Sequence, residues 1–161
     1  MRDETALCGV LIMPNFIPVR DCVSALLTDE QDRLVIQLRD DKPGLLFPVH
    51  WATLGGGIEQ GETPEQAMKR ELEEEIAPAP PVIFWRYFEH TYKVRGETRM
   101  VTNHVYVGKL PCALEDVKLF EGQRLGAFTA DEIDGLPIAY GLEVIFKAFF
   151  ESYEHRTGDN L

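Results

Sequence analysis

Short apolar runs separated by turn residues predict that the first third of the chain is mainly β-structure. We expect strands at residues 7–13, 21–28 and 33–39, where aliphatic and β-branched residues cluster between polar segments. Residues 40–50 carry two prolines and are predicted to form a loop. Residues 51–57 are predicted to form a short strand that runs into three glycines.

A long β-hairpin is predicted for residues 82–110. Two runs rich in β-branched and aromatic residues flank the dipeptide Arg95-Gly96, which we place at the tip. The segment 119–129 favours a bent strand or a loop.

One helical turn and one long helix are predicted near the C-terminus. The turn covers residues 130–136, and the helix is expected to begin near Pro137 and to end at about Tyr153. Apolar residues recur there at spacings of three and four, as on the buried face of a helix: Leu142, Ile145, Phe146, Phe149 and Phe150.

A second helix is predicted from Thr63 to Ile76. Thr63 can cap it, Pro64 suits its first position and Gln66 completes a capping box. The prolines of residues 77–81 end it. Mostly antiparallel strands with two substantial helices predict an α+β sandwich.

Three acidic side chains share one face of this helix. Glu71, Glu74 and Glu75 stand at i, i+3 and i+4, and each like-charged pair costs about 0.2–0.5 kcal/mol on an exposed helix. A solvated acidic surface is one interpretation. A hard cation such as Mg²⁺, which prefers oxygen ligands, is the other. Gly55-Gly56-Gly57 favours the cation, since glycine lets the backbone come close to a ligand.

The stretch from Gly56 to Pro78 resembles the signature of the Nudix hydrolases. That signature is a glycine, five residues, Glu, seven residues, then Arg-Glu-hydrophobic-x-Glu-Glu-x-Gly-hydrophobic. Gly56, Glu62 and the run Arg70 to Glu75 match it. Departures lie at the edges, where Ala77 and Pro78 replace the closing glycine and hydrophobic residue, and where Leu54 stands in place of a frequent proline.

The resemblance implies a Mg²⁺ (or Mn²⁺) site. Its ligands would be the carbonyl of Gly56 and the carboxylates of Glu71, Glu74 and Glu75, with Glu74 and Glu75 also catalytic. Arg70 would act in catalysis by positioning Glu62 and the neighbouring acids. The alternative for Arg70 is an ordinary i, i+4 pair with Glu74.

A further acid from a later loop often serves such enzymes as a metal ligand or a general base. Glu121, in the run Phe-Glu-Gly-Gln-Arg, is our candidate for both roles, and a solvated loop acid is its alternative. The competing acids are Glu115, Asp116, Glu132 and Glu143.

Substrate contacts are predicted at three positions. Arg39, at the end of the third predicted strand, could meet a phosphate, and Trp85 and Tyr92 could stack on a base. Each could instead be an ordinary surface charge or core aromatic residue. His90 and His104 are either catalytic or simply strand residues.

The resemblance implies a Nudix-type α/β/α sandwich with a mixed, largely antiparallel sheet, as a single domain over residues 1–155 and a flexible tail over 156–161. The implied activity is Mg²⁺-dependent hydrolysis of a small nucleotide, a nucleoside diphosphate linked to another group X, by attack of water on phosphorus. Alternatives are an inactive nucleotide-sensing domain and a diphosphate isomerase. The isomerase would need a cysteine near the metal site, and none lies near the signature in the sequence.

Composition and charge exclude several kinds of binding partner. The net charge of −11 over 161 residues argues against nucleic-acid and anionic-membrane binding, and leaves a homodimer open. Three widely spaced cysteines form neither a disulfide framework nor a zinc pattern. The acidic N-terminus does not resemble a signal peptide, and no run is long enough to span a membrane, so we expect a cytoplasmic protein.

Overall fold

A computed structural model describes residues 15–158 of the chain, with side chains as far as Ser152. Its elements, in chain order, are β1 (Phe16–Pro18), β2 (Cys22–Thr28), β3 (Leu34–Leu38), β4 (Trp51–Ala52), β5 (Leu54–Gly57), α1 (Pro64–Glu75), β6 (Ile76–Ala77), β7 (Val82–Val94), β8 (Glu97–Lys109), β9 (Lys118–Leu119), β10 (Arg124–Phe128), α2 (Ala130–Ile133) and α3 (Glu143–Gly158). A 3₁₀ turn, Leu114–Asp116, precedes β9. The strand predicted for residues 7–13 lies outside the described residues.

Eight strands form one mixed sheet. Its main order is β1-β8-β2-β3-β10, while β7 pairs with β8, β5 with β2 and β4 with β3. Strand β8 runs parallel to β1 and β2, and the other pairs of this sheet are antiparallel. The predicted α+β fold with a mixed, largely antiparallel sheet is confirmed, and so is the long hairpin of β7 and β8.

Helices α1 and α3 cover opposite faces of the sheet. Along β2, Val23, Ala25 and Leu27 belong to the apolar cluster of α1, whereas Leu26 belongs to that of α3. Alternate residues of a strand point to opposite faces, so the sheet separates two cores. Met68 and Leu72 of α1, together with Ile76 directly after it, are buried in the α1 cluster.

The predicted capping box of α1 is present. The backbone N–H of Gln66 donates to Thr63 Oγ1 at 3.2 Å, and the backbone N–H of Thr63 donates to Gln66 Oε1 at 2.9 Å. The helix ends at Glu75 and continues directly into β6. This start fixes the rotation of the helix and therefore the direction of each glutamate.

The predicted start of the last helix is wrong. The helix spans Glu143–Gly158 instead of beginning near Pro137 and ending at about Tyr153. The backbone of Trp51 holds the preceding residues in extended form. Its N–H donates to the carbonyl of Pro137 at 2.8 Å, and its carbonyl accepts from the N–H of Ala139 at 2.9 Å. These bonds to another strand replace the helical bonds that the apolar pattern predicted.

Among the described residues, no helix is both long enough and apolar enough to cross a membrane.

Candidate active site

Strand β5 brings the glycines against the acidic face of α1. A Cβ atom added at Gly56 would lie 2.5 Å from Glu71 Oε1. The carboxylate therefore lies directly on the glycine backbone, and any side chain there would displace it. This places the two predicted metal-binding groups, the Gly56 backbone and the Glu71 carboxylate, side by side.

Arg70 lies at the centre of the acidic cluster. Its guanidinium binds Glu62 through two atoms, with Nε to Oε1 at 2.6 Å and Nη2 to Oε2 at 3.0 Å. Nη1 reaches Glu71 at 2.8 Å and Glu74 at 3.3 Å, and Nη2 donates to the Gly57 carbonyl at 3.1 Å. The predicted contact of Arg70 with Glu62 is thus present, and the i, i+4 pair with Glu74 is only its longest carboxylate contact of these three.

The Arg70 pairing keeps Glu62 ionised. Hydrogen bonds from Arg70, joined by one from the Glu59 backbone, lower the pKa of the Glu62 carboxyl to about 2. Glu62 itself is not among the residues that line the adjoining cavity. It contacts the site through Arg70, which in turn contacts Glu71.

Glu75 is the most enclosed acid of the cluster. Glu75 is only 2% exposed, and its carboxylate accepts hydrogen bonds from the Gly55 N–H at 2.7 Å and from Gln37 Nε2 at 3.1 Å. Burial raises the pKa of Glu75 to about 8, although both hydrogen bonds oppose the shift and the charges of Glu71 and Glu121 add to it. This carboxyl can therefore exchange a proton near neutral pH.

The other two helix acids differ in exposure. Burial raises the pKa of Glu71. The hydrogen bond and charge of Arg70 oppose this rise, and the negative charges of Glu74 and Glu121 add to it. The Glu74 side chain is 57% exposed and faces solvent beside Arg70. One face of a single helix therefore carries a buried, a half-buried and an exposed carboxylate.

A tightly tethered loop brings Glu121 to the same place. The N–H of Phe120 donates to the Glu75 carbonyl at 2.8 Å, and the N–H of Gln123 donates to the Leu38 carbonyl at 2.8 Å. Gly122 between them has φ +89°, and a Cβ there would lie 2.6 Å from Gln37 Oε1. Only glycine suits this turn, so the loop conformation and the position of Glu121 depend on it.

Glu121 lines a cavity of about 340 Å³ together with Glu75 and the glycines of β5. The competing acids occupy other parts of the described structure. Glu115 and Asp116 lie in the 3₁₀ turn, Glu132 caps α2 and Glu143 begins α3. Of the candidates, the fold brings Glu121 to the acidic helix.

A second group of lining residues is aromatic or amide-bearing and, apart from Arg39, uncharged, and we call it the neutral end of the cavity. Tyr92 and Tyr140 lie there with ring centroids 5.3 Å apart, and the buried polar residues His90 and Asn103 lie beside them. Arg39 also lines the cavity; its guanidinium lies 5.0 Å from the centroid of the Tyr140 ring. The structure thus brings Arg39 and Tyr92 to the site that holds the acids.

Trp85 is not brought to this site. Its ring packs against Phe88 at 5.6 Å and Phe149 at 6.1 Å, and Arg86 lies 4.2 Å from its centroid. This position does not support the predicted base-stacking role, because the ring packs against the apolar cluster of α3. His104 lies elsewhere, beside Asp21 at 3.4 Å.

Cys22 requires a correction. No cysteine is close to the signature in the sequence, but Cys22 pairs with Gly57 across β2 and β5 and lines the cavity. Burial raises the pKa of its thiol to about 12, with the charge of Asp21 adding to the rise. The group is therefore a protonated thiol at neutral pH, and a poor nucleophile.

The donor set fits a hard divalent cation. Carboxylates and a backbone carbonyl are the oxygen ligands that Mg²⁺ prefers. Within the described residues, however, no three His, Cys, Asp or Glu side chains stand close enough together to hold one ion. Glu71 and Glu74 would have to turn from Arg70 for three helix carboxylates to meet at a metal.

Sequence reasoning missed several polar residues of the cavity. Gln37 and Asn103 are 5% and 1% exposed, and Ser24 and Thr53 bond to each other at 3.0 Å. The sequence offers a signal for Gln37 and Asn103, because amide side chains are unusual inside apolar strands and require hydrogen-bond partners when buried. Arg20, which lies against Gly57, carries no such signal.

Known proteins resemble this chain in sequence. A family model described as a NUDIX domain matches residues 18–135. An RNA pyrophosphohydrolase from Gluconacetobacter diazotrophicus is 41% identical over 70 residues, which cover 42% of each chain. The nucleoside triphosphatase NudI from Escherichia coli is 39% identical over 57 residues, which cover 35% of this chain and 39% of that one. The matches thus span less than half of either relative.

The fold is shared more widely than the sequence. A mutT/nudix family protein from Listeria innocua superposes with a TM-score of 0.66 at 22% identity, over 88% of this chain and 98% of that chain. At this identity the likeness concerns the fold.

Proposed function

The chain belongs to the NUDIX family, and on that premise we propose that it is a Mg²⁺- or Mn²⁺-dependent pyrophosphohydrolase. Its substrate would be a small nucleotide, a nucleoside diphosphate linked to a group X, and water would attack phosphorus. Two observations carry the proposal: Glu75 and Glu121 line one cavity together with Gly56, and the Glu71 carboxylate lies against the Gly56 backbone.

The residues that would hold the cation are the Gly56 carbonyl and the carboxylates of Glu71, Glu74, Glu75 and Glu121. A bound divalent cation neutralises phosphate charge and makes water more acidic. Without one, four carboxylates would repel an anionic substrate, and Arg70 is already paired with four acids, Glu59, Glu62, Glu71 and Glu74. The acidic end therefore suits a phosphate once positive charge is added there.

Two side chains are suited to remove the proton from water. Glu75 lines the cavity and is held by bonds from the Gly55 N–H and from Gln37, so its carboxylate, ionised beside a bound cation, would face the attacking water. Glu121 lies on a loop over the same cavity end, tied to the last turn of α1 through Phe120. Either carboxylate can accept the proton while Arg70 holds Glu62 and Glu71 in place.

Substrate class is supported by the relatives and by the cavity. The two curated relatives are named for pyrophosphate removal from RNA and for nucleoside triphosphate hydrolysis. The net charge of −11 disfavours a long nucleic acid. A volume of about 340 Å³ lies in the usual range for small-molecule sites, and the two lining residues Arg39 and Tyr92 would contact a phosphate and a base.

The test is a phosphate-release assay after coupling to inorganic pyrophosphatase and phosphatase. The panel includes nucleoside triphosphates, ADP-ribose, a dinucleoside polyphosphate and a short RNA with a 5′-triphosphate, each with Mg²⁺ and with chelator. We expect metal-dependent turnover of at least one small nucleotide. Tight binding without turnover across the panel would instead indicate a sensing domain and would refute hydrolysis.

The position of Cys22 favours testing isomerase chemistry beside hydrolysis. Incubation with an allylic diphosphate, followed by product chromatography, should show no isomer. Cys22→Ser should retain nucleotide hydrolysis, because a buried thiol with a pKa of about 12 supplies no nucleophile. Isomer formation that disappears in Cys22→Ser would refute the hydrolase assignment in favour of the isomerase.

A further inference from the structure

Asn103 is a buried amide at the neutral end of the cavity. It is 1% exposed and lines the cavity, and its Oδ1 accepts no hydrogen bond from the described residues. A buried polar atom without a partner costs stability. An acceptor kept in this state beside a ligand cavity suggests that its partner is supplied by the ligand.

The neighbouring histidine sets which amide atom is free. Burial lowers the pKa of His90, with the backbone of Tyr140 opposing the shift, so the ring is neutral at pH 7. A neutral imidazole has one acceptor nitrogen, and Nε2 lies 3.4 Å from Asn103 Nδ2. With the ring proton on Nδ1, Nε2 accepts from the Asn103 amide nitrogen, which leaves Oδ1 as the free acceptor.

The surrounding strands keep this amide in place. Strand β8 carries Asn103 opposite Cys22 of β2 on one side and opposite Phe88 of β7 on the other. An inner strand bonded on both sides moves little, so the position of Oδ1 is well defined. The aromatic rings of Tyr92 and Tyr140 line the same cavity and offer faces to a planar ligand.

We propose that Asn103 Oδ1 accepts a hydrogen bond from the exocyclic amino group of the substrate base. The chain would then favour nucleotides of the 6-amino purine or 4-amino pyrimidine type over their oxo counterparts. An oxo group would direct a second acceptor at Oδ1 and leave both oxygens unpaired. This inference rests on the proposed nucleotide hydrolysis and specifies its base.

The experiment compares kcat/KM for two matched pairs that differ in this group, ATP with ITP and CTP with UTP. We expect the amino nucleotide of at least one pair to be favoured by roughly 10- to 100-fold. The pair that shows the preference distinguishes a purine from a pyrimidine substrate. A preference for the oxo partner in both pairs would overturn the proposal, since the free atom would then be a donor.

Variants connect the preference to the residue. Asn103→Leu keeps the approximate volume but removes the acceptor, and should bring the amino-to-oxo ratio close to one. Asn103→Ser, whose shorter side chain does not reach as far, serves if the leucine variant does not fold, and should act in the same direction. An unchanged ratio in a folded variant would overturn the proposal.

A matched control lies on the same strand. Tyr106→Phe also removes a buried polar group from β8, but Tyr106 packs in the apolar cluster of α1. Its ratio should equal that of the wild type. Turnover of neither pair, together with no turnover on the wider nucleotide panel, would count against the proposed hydrolysis itself. Turnover without base preference would count against the Asn103 inference alone.

Discussion

The two ends of the cavity are built in different ways. The acidic end comes from one continuous segment, residues 55–75, with the addition of a single loop acid, Glu121. The neutral end comes from three separate segments: β7 supplies His90 and Tyr92, β8 supplies Asn103, and Tyr140 precedes α3. One end is charged and held by ion pairs, and the other is aromatic and amide-lined.

Under the proposed function, this contrast assigns the reaction to the acidic end of the cavity and the choice of base to the neutral end. Burial near the glycines, joined by the charges of Glu71 and Glu121, alters the acids that would carry out chemistry, as the raised pKa of Glu75 shows. The aromatic and amide groups have no such charge, and they can contact a base without taking part in bond breaking. Changes at the acidic end should therefore lower kcat, and changes at the neutral end should affect mainly KM.

The largest effect is expected at Glu75. Glu75→Gln should lower kcat by about 10²–10⁴-fold, because the buried carboxylate is lost as ligand or base. The variant should stay folded, because loss of the buried charge and of its repulsion by Glu71 and Glu121 offsets the weaker bonding to the Gly55 N–H and the Gln37 amide. Steady-state kinetics and urea unfolding measure the two effects.

Glu73→Gln is the matched control for Glu75→Gln. The change is chemically the same and two residues away, but Glu73 is exposed and pairs with Lys69 at 2.6 Å. Its kcat should stay within about twofold. Equal losses in the two variants would remove the distinction between the buried acid and the surface acid.

Glu121→Gln should lower kcat by roughly 10²-fold with little change in KM. If the carboxylate is the general base, the deficit shrinks as pH rises, because hydroxide in solution replaces it. If it is a metal ligand, excess Mg²⁺ restores much of the rate. Glu115→Gln, in the exposed 3₁₀ turn, is the control and should behave as wild type. Near-normal activity of Glu121→Gln would show that the helix acids suffice.

A change at the neutral end should have the opposite kinetic signature. Tyr92→Leu should raise KM roughly tenfold with kcat nearly unchanged, since loss of base stacking removes binding energy shared by ground and transition states. Tyr87→Leu, on the same strand but 65% exposed, should change neither constant. A large fall in kcat for Tyr92→Leu would break the separation between the two ends.

Mg²⁺ should stabilise the acidic end. At ten times its Kd, a cation that binds only the folded protein adds about 1.4 kcal/mol, or a Tm rise of about 3–6 °C. Chelator should reverse the rise, and Glu71→Gln should reduce it because one ligand and one repulsive charge are lost. Thermal unfolding with and without Mg²⁺ is the measurement. An undiminished rise in that variant would place the stabilising cation elsewhere.

The smallest effect is expected at Glu62, which lies outside the cavity. Its pKa is lowered from 4.5 to about 2 by Arg70, so its contribution is present above pH 4.5 and is lost as pH falls towards 2. The stability advantage of wild type over Glu62→Gln should therefore shrink over that window in urea unfolding. Glu59→Gln, 3.9 Å from Arg70, should show a much weaker dependence. A pH-independent difference would contradict the ion-pair explanation.

The sequence alone determined the helix α1, the hairpin and the acidic end of the cavity. Capping at Thr63, the prolines after Ile76 and the i, i+3, i+4 spacing of the glutamates are local features. Neighbours along the chain decide them, so a linear pattern predicts them. The resemblance of that one segment to a known signature was sufficient to indicate the family for the same reason.

Tertiary structure decided the rest. Trp51 held residues 137–139 in extended form and delayed the last helix, which no local pattern could indicate. Trp85 packs against the apolar cluster of α3. Cys22 lies in a strand distant in sequence from the glycines, but it pairs with Gly57. These outcomes depend on hydrogen bonds and packing between distant segments. Such contacts form only when the sheet and both helices have assembled, and the neutral end of the cavity consists almost entirely of them.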